Sequence, residues 1–283
     1  MNAILVIGGY GLREALRRRV FGVVLVLTVA FLVLYWLGTH YLFQHLAHVN
    51  PPGGIDARTL VGATTLGLAM FATLFLGVVL AIFLTLGVVR GDAERGLLQP
   101  LVVRPVGRTT VVVARFLGTA AVCVPYVALV YAATVLIVDA NGSWTPDRIL
   151  LPGVELAVAV CVIAAISVLG SVFLTSTANG IAVFMVFGAG LVAGLLGQIG
   201  RALNSDTLDR IATTAAWVVP FEALYEDALH GITVGTSGFT RVALSLGPFG
   251  GARVAGPWLG PWSVVFLLLC GTIAALAFSR SDL

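Results

Sequence analysis

A chain of 283 residues that is 59% hydrophobic and 10% charged lacks the polar surface of a soluble domain, which carries about 25% charged residues. With a mean hydropathy of +1.04, it cannot be a water-soluble globule, a disordered chain or a nucleic-acid-binding domain, and an integral membrane protein with several spans is left. All 16 basic residues are Arg, so a Schiff-base Lys and the Lys of a phosphate-cradling P-loop are excluded too.

The N-terminus joins an apolar stretch, residues 3–7, to a cationic one with Arg13, Glu14, Arg17, Arg18 and Arg19. This pattern suits a helix lying on the inner membrane surface, its Arg heads toward anionic lipid; a simple positive-inside anchor fits equally. Residues 20–41 form the first apolar run. It is longer than a signal-peptide core and no small-x-small cleavage site follows, so it reads as a span. His40, His45 and His48 come just after it. No Cys, Met pair or carboxylate cluster joins them, so they read as interfacial His and no metal is assigned.

Residues 61–89 form the second span and 111–138 the third, which Pro125 is expected to kink. Between them the loop 90–110 is the most informative stretch of the chain. Arg90, Gly91, Asp92, Glu94, Arg95 and Gly96 lead into an apolar run, Leu97 to Val103, and then into Arg104, Pro105 and Arg108. A run too short to span, held between charged turns, needs somewhere to bury itself. A protein partner offers one place and the chain's own bundle another.

Asn141-Gly142-Ser143 matches a glycosylation sequon and reads as a turn. The fourth span covers 153–174, with Ser167, Ser171 and Thr175 expected on one face; they could line a path or bond between helices. Glu155 is expected at the water-accessible edge of this span. The fifth span, 181–200, carries Gly188, Gly190, Gly194, Gly197 and Gly200, and the Gly190–Gly194 spacing permits close helix approach. Segment 201–262 holds an amphipathic stretch at 208–229 and a Gly/Pro-rich run at 247–261. Trp217, Trp258 and Trp262 suit an aromatic belt. Residues 263–279 form the sixth span. The three Cys all lie within spans and read as small apolar residues.

Each run is apolar on every face and too long for a transmembrane strand. Placing both termini inside puts ten Arg and four acids on that side, a net +6, and six Arg and nine acids on the other, a net −3. That asymmetry assigns both termini to the cytoplasm, which six spans accommodate. No Asp, Glu, Lys or Arg falls near the middle of any span, which argues against an ion-coupled carrier.

The loop is similar to that of membrane subunits of ABC exporters in the type 2 permease superfamily. There a Gly-Glu-x-Glu-x-Gly-Thr-Leu pattern precedes a hydrophobic stretch, Arg-Pro-x-x-Arg and Gly-Lys-x-x-Gly. Here Gly91, Asp92, Glu94, Gly96, Leu98, Arg104, Pro105, Arg108 and Gly118 match, while Leu97, Ala114 and Arg115 depart from it. The N-terminal cationic stretch resembles the family's elbow helix. The outer Pro220, Glu222 and Tyr225 resemble its Pro- and Tyr-containing cap, with Val219 in place of Asn. The C-terminal Phe278-Ser279-Arg280-Ser281-Asp282-Leu283 is similar to the family's usual ending. The branch with the permease of the nitrous oxide reductase maturation system is the nearest in pattern.

The resemblance implies an all-α, polytopic protein of six transmembrane helices, one transmembrane domain in the bacterial plasma (inner) membrane. Residues 1–19 would be the elbow helix and lipid contact. Residues 90–110, including Arg95, would be the coupling loop docked on a cytoplasmic ABC ATPase. Residues 201–262 would be a re-entrant cap over the exit, with Pro220, Glu222 and Tyr225 in it. Partners would be two ATPase subunits, a second permease copy and lipid, with no nucleic acid. ATP and magnesium would sit on the ATPase, with no cofactor and no enzymatic site on this chain. Two alternatives stay open: a gradient-driven carrier and a membrane anchor or assembly factor that transports nothing.

Overall fold

The computed structural model describes residues 19–46, 56–86, 108–235 and 252–280. Among them it holds eight helices and no strand: α1 (Arg19–Leu46), α2 (Ala57–Thr85), α3 (Arg108–Gly142), α4 (Leu150–Phe173), α5 (Ser176–Ala202), α6 (Asp206–Val218), α7 (Phe221–Gly231) and α8 (Leu259–Arg280). Six of them, α1 to α5 and α8, are long and apolar enough to cross a membrane. All six expected spans are therefore present, with ends moved by a few residues. Pro125 lies inside α3, which runs on through it.

Apolar side chains gain little by leaving lipid for a protein interior, so such a bundle is held by close packing and interhelical hydrogen bonds. Both are visible. Gly77 lets α2 approach Val160 of α4 and Val127 of α3, where a Cβ would come within 2.8 and 2.9 Å of their methyls. The α2 residues Leu66, Met70, Leu74 and Ile82 are fully buried among Val127 of α3 and Leu156 and Ile163 of α4. The hydroxyls of Thr28 on α1 and Tyr126 on α3 meet at 2.5 Å. Near the other end of the same pair, the Asn141 amide donates to Thr39 at 3.2 Å and its carbonyl oxygen lies 3.2 Å from Nδ1 of His40. The sequon Asn is thus the helical end of α3, and the turn begins at Ser143, whose φ is 47°.

Helices α2 and α4 are the most buried of the six and α1 the least. The faces of α1 that carry Val26, Val29 and Leu34 are open. The bundle has two unlike ends. One holds the two-residue link Leu174–Thr175 between α4 and α5 and the stems of the α2–α3 connection. The other holds α6, α7 and the turn between α3 and α4, which is tied to the end of α7 by Asp147, its carboxylate accepting from the Gly235 amide at 2.6 Å. We refer to them as the loop end and the cap end.

Of the expected site residues, Gly91, Asp92, Glu94, Arg95, Gly96, Leu98, Arg104 and Pro105 of the coupling loop, and Arg13, Glu14, Arg17 and Arg18 of the elbow, lie outside the described residues, as does His48. Arg108 and Arg19 are the first residues of α3 and α1.

Candidate functional site

The cap starts from a stripe of glycines on α5. Gly190 and Gly194 lie 12 and 8 residues before the end of α5 at Ala202, or about 18 and 12 Å at a rise of 1.5 Å per residue. The sequence suggested that their spacing admits another long helix. Instead α7 takes the space. A Cβ on Gly190 would overlap the Phe221 ring, and one on Gly194 would overlap Oε1 of Glu222. Gly197 and Gly200 seat Ala212 and Leu208 of α6 in the same way, at 2.9 and 2.8 Å. The amphipathic stretch 208–229 is therefore two helices, broken at Val219-Pro220, with different fates. Only Ala212 of α6 is buried, while α7 buries Phe221, Glu222, Leu224, Tyr225, Glu226 and Ala228.

On its other side α7 reaches α2 and α4. The Tyr225 hydroxyl donates to the Gly67 carbonyl at 3.4 Å, and its ring meets Phe71 edge-on at 6.2 Å. Gly67 is ten residues into α2, about 15 Å along it. The Phe221 ring packs, tilted by 33°, at 5.2 Å from that of Phe187 of α5, which lies 6.3 Å from Phe75 of α2. Gly231 passes Pro152 of α4. The short helix is thus inserted among α2, α4 and α5, well below their cap ends.

That insertion carries acids to a depth the span-by-span reading excluded. Glu222 is 2% exposed, and neither carboxyl oxygen has a hydrogen-bond partner among the described residues. Burial pushes it well above the usual carboxylate range, and nearby Glu226 adds to the push. Being in the first turn of α7, it feels the helix dipole, worth about 0.3–2 kcal/mol. That is less than the several kcal/mol needed to bury an unpaired carboxylate. Glu226, one turn on, is pushed up to about 7 by burial; Arg201 and Arg253 pull it down and Asp209 raises it. Asp56 shows the opposite case. It is an exposed N-cap of α2, and its carboxylate accepts from Thr59 Oγ1 at 2.5 Å and from the Arg58 amide at 3.1 Å, which lowers it.

Glu155 corrects the sequence reading as well. It was expected to face water, yet it is 8% exposed, its carboxyl turned to that of Asp227 on α7 with Arg148 nearby. Oδ1 of Asp227 accepts from the Ala255 amide at 3.1 Å. Segment 252–258 runs along α7: the Arg253 amide donates to the Glu226 carbonyl at 3.3 Å, and its guanidinium reaches Thr213 of α6 at 3.1 Å. Trp262 Nε1 donates to the Trp217 carbonyl at 2.8 Å, so two of the three belt Trp also pin α6 to α8.

Of the expected cap residues, the structure brings Glu222 and Tyr225 into one buried helix, and Pro220 is its N-cap. It adds Glu226, Asp227 and Glu155. The glycine stripe signalled a closely packed neighbour for α5, while these three acids follow only from the packed bundle.

The polar residues of α4 divide. Ser167 bonds between helices, to Thr85 of α2 at 2.6 Å, and Ser171 bonds back to Val168 at 2.7 Å. Thr175 does not share their face, because α4 ends at Phe173 and Thr175 is the N-cap of α5. His40 and His45 are engaged by Asn141, Gln44 and the Tyr41 carbonyl.

Fold and site together define a multi-pass, all-helical membrane protein with a buried acidic cap helix. No family model matches the chain, and neither does any curated protein.

Proposed function

We propose that the chain is the membrane-spanning permease subunit of an ATP-driven ABC exporter of the type 2 class, working as a homodimer with separate ATPase subunits. The observation that carries this reading is the order of charged and apolar residues from Arg90 to Arg108, between α2 and α3, whose facing ends lie opposite the cap. The stems support the role. α2 is among the most buried helices and touches α1, α3 and α4, so a push delivered through the loop enters the centre of the bundle. Lacking any Lys, the chain would leave ATP and magnesium to the partner. The open apolar faces of α1 offer area for lipid and for the second copy. The inserted α7 would close the exit, in a bacterial plasma membrane with both termini cytoplasmic.

Co-expression with the ABC ATPase encoded nearest to this chain tests the reading. Co-purification of the two is expected, with loss of the ATPase when Asp92, Glu94 and Arg104 are all changed to Ala. Absence of a bound ATPase, or retention by the triple variant, would overturn it. ATP hydrolysis by the reconstituted complex separates a transporter from a passive anchor.

One observation favours a second reading, a proton-coupled carrier: Glu222 and Glu226 are buried carboxyls beside the inner faces of α2 and α5. Transport by the chain alone under an imposed proton gradient, with no ATPase present, would select it.

A further inference from the structure

The carboxyl of Glu222 has no hydrogen-bond partner among the described residues and rests against the backbone of Gly194. The charged group that acts on it is Glu226. Glu226 lies one turn along α7, with Arg201 of α5, Asp209 of α6 and Arg253 ahead of α8 beyond it. Arg201 and Asp209 stand 3.7 Å apart and are 39% and 41% exposed, so this side opens to water. On α2, Gly67 and Phe71 meet the neighbouring Tyr225, and on α4 the Glu155 carboxyl is turned to Asp227 with Arg148 nearby. Among the described residues no three His, Cys, Asp or Glu are grouped to hold a metal ion. With Gly194 against Oε1, a proton is the one cation that needs no added room.

We propose that Glu222 and Glu226 form a proton-binding site that latches the cap: a proton on Glu222 keeps α7 seated on Gly190 and Gly194, and its loss through Glu226 to outside water unseats the helix. The chain of reasons is short. An ionised Glu222 would have no counter-charge within the seat, so the helix must move to hydrate it. Glu226 stands between Glu222 and the exposed Arg201 and Asp209, which makes it the exit for the proton.

The sign follows from burial. Both acids hold their proton more tightly when seated than when hydrated, so seating is favoured at low pH and weakens as pH rises. For Glu226 the window runs from the ordinary 4.5 to about 7, and within it each pH unit shifts the seated-to-open ratio about tenfold for that group. Glu222 extends the window upward. The latch belongs to the chain itself and does not depend on the exporter reading, since neither an ATPase nor a substrate enters it.

The test uses the full chain in lipid nanodiscs. Ala228, fully buried on α7, and Val218, 61% exposed on α6, are changed singly to Cys and labelled with an impermeant maleimide from pH 5.5 to 8.5. The wild-type chain, whose three cysteines are buried, is the blank. The Ala228→Cys rate divided by the Val218→Cys rate is expected to rise at least tenfold over this range. Adding Glu222→Gln, which keeps the shape without the charge, should flatten the rise, and Glu226→Gln should reduce it. A ratio independent of pH, or a rise that survives Glu222→Gln, overturns the latch. Should the Cys variants not fold, infrared spectroscopy of the wild-type chain decides. A carboxylic acid C=O band that persists above pH 6 and is lost in the otherwise unaltered chain carrying only Glu222→Gln supports the proposal, and no such band, or one that Glu222→Gln leaves unchanged, overturns it.

Discussion

The two ends of the bundle bury polar groups in opposite ways. At the loop end Thr85, Ser167 and Asn179 are fully buried, neutral and bonded to one another. The two hydroxyls meet at 2.6 Å, and the Asn179 amide donates to the Ser167 carbonyl at 2.9 Å; only its Oδ1, against Gly170, has no partner among the described residues. At the cap end the buried polar groups include carboxyls: Glu222, Glu226, and Glu155 facing Asp227. Neutral bonded pairs fix α2, α4 and α5 in one register at every pH, whereas buried acids make a seat whose stability depends on their protons. The loop end is thus built as a fixed joint and the cap end as an adjustable one, the arrangement needed if force enters at one end and a gate yields at the other.

The largest expected effect tests this contrast through pH. Glu226, raised by burial from 4.5 to about 7, holds stability that is present below pH 4.5 and lost as pH rises to 7. By linkage the loss at pH 8 is about 3 kcal/mol. Glu226→Gln should therefore stabilise the chain toward thermal unfolding at pH 8 and change little at pH 4. Equal effects at both pH values would remove the distinction between the ends.

A steric change should rank next. Gly194→Val places its Cβ where Glu222 Oε1 now sits, and overpacking of this kind costs about 1–3 kcal/mol. Gly188→Ala on the same helix meets nothing within 4 Å and should gain up to about 1 kcal/mol of helix propensity. Melting curves of the two variants check this, and a tolerant Gly194 would mean that α7 does not rely on the glycine seat.

The loop end should respond less. Ser167→Ala removes the bond to Thr85, but Thr85 keeps its bonds to the Ala81 and Ile82 carbonyls at 2.8 and 2.9 Å. A single interhelical hydrogen bond in a membrane protein contributes about 0.6 kcal/mol on average. That loss should be the same at pH 5 and pH 8, since nothing in the cluster titrates. A pH-dependent loss would show that the joint communicates with the cap.

The same contrast marks what could be read from sequence. The six spans were legible because about 20 apolar residues in a row have almost no other use. The cap was not. Phe221–Gly231 has the amphipathic pattern of any surface helix, and the 3.6-residue period is the same whether the polar face meets water or a buried seat. Scanning the spans one by one therefore found no acid at depth, because the acids arrive on a helix too short to span. Gly190, Gly194, Gly197 and Gly200 of α5 did announce a close neighbour, without saying that it was α7 and α6. Ser167 was recognised as polar inside a span, but its partner Thr85 is 82 residues away, and such pairings follow only from the packed bundle. Pro220, Glu222 and Tyr225 of the cap were picked out by resemblance; Glu226 and Glu155 needed the packed bundle.

The smallest effect should come from the hydroxyl of Tyr225, and it separates packing from hydrogen bonding in the cap. Its bond to the Gly67 carbonyl is 3.4 Å long, beyond the 2.5–3.0 Å of a good O–H···O bond. The carbonyl it reaches lies inside α2 and already accepts in the helix ladder. The ring is the stronger attachment, 1% exposed and edge-on to Phe71, a contact worth about 0.5–1.5 kcal/mol beyond its buried area. Tyr225→Phe keeps the ring and should shift stability by less than about 0.5 kcal/mol, whereas Tyr225→Ala should cost about 3 kcal/mol or more. If Tyr225→Phe also leaves the pH dependence of Ala228→Cys labelling unchanged, the cap is held by aromatic packing and released by Glu222 and Glu226. A large loss in Tyr225→Phe would instead mean that the seat is pinned by a hydrogen bond to α2, and would move the release point from the carboxyls to that bond.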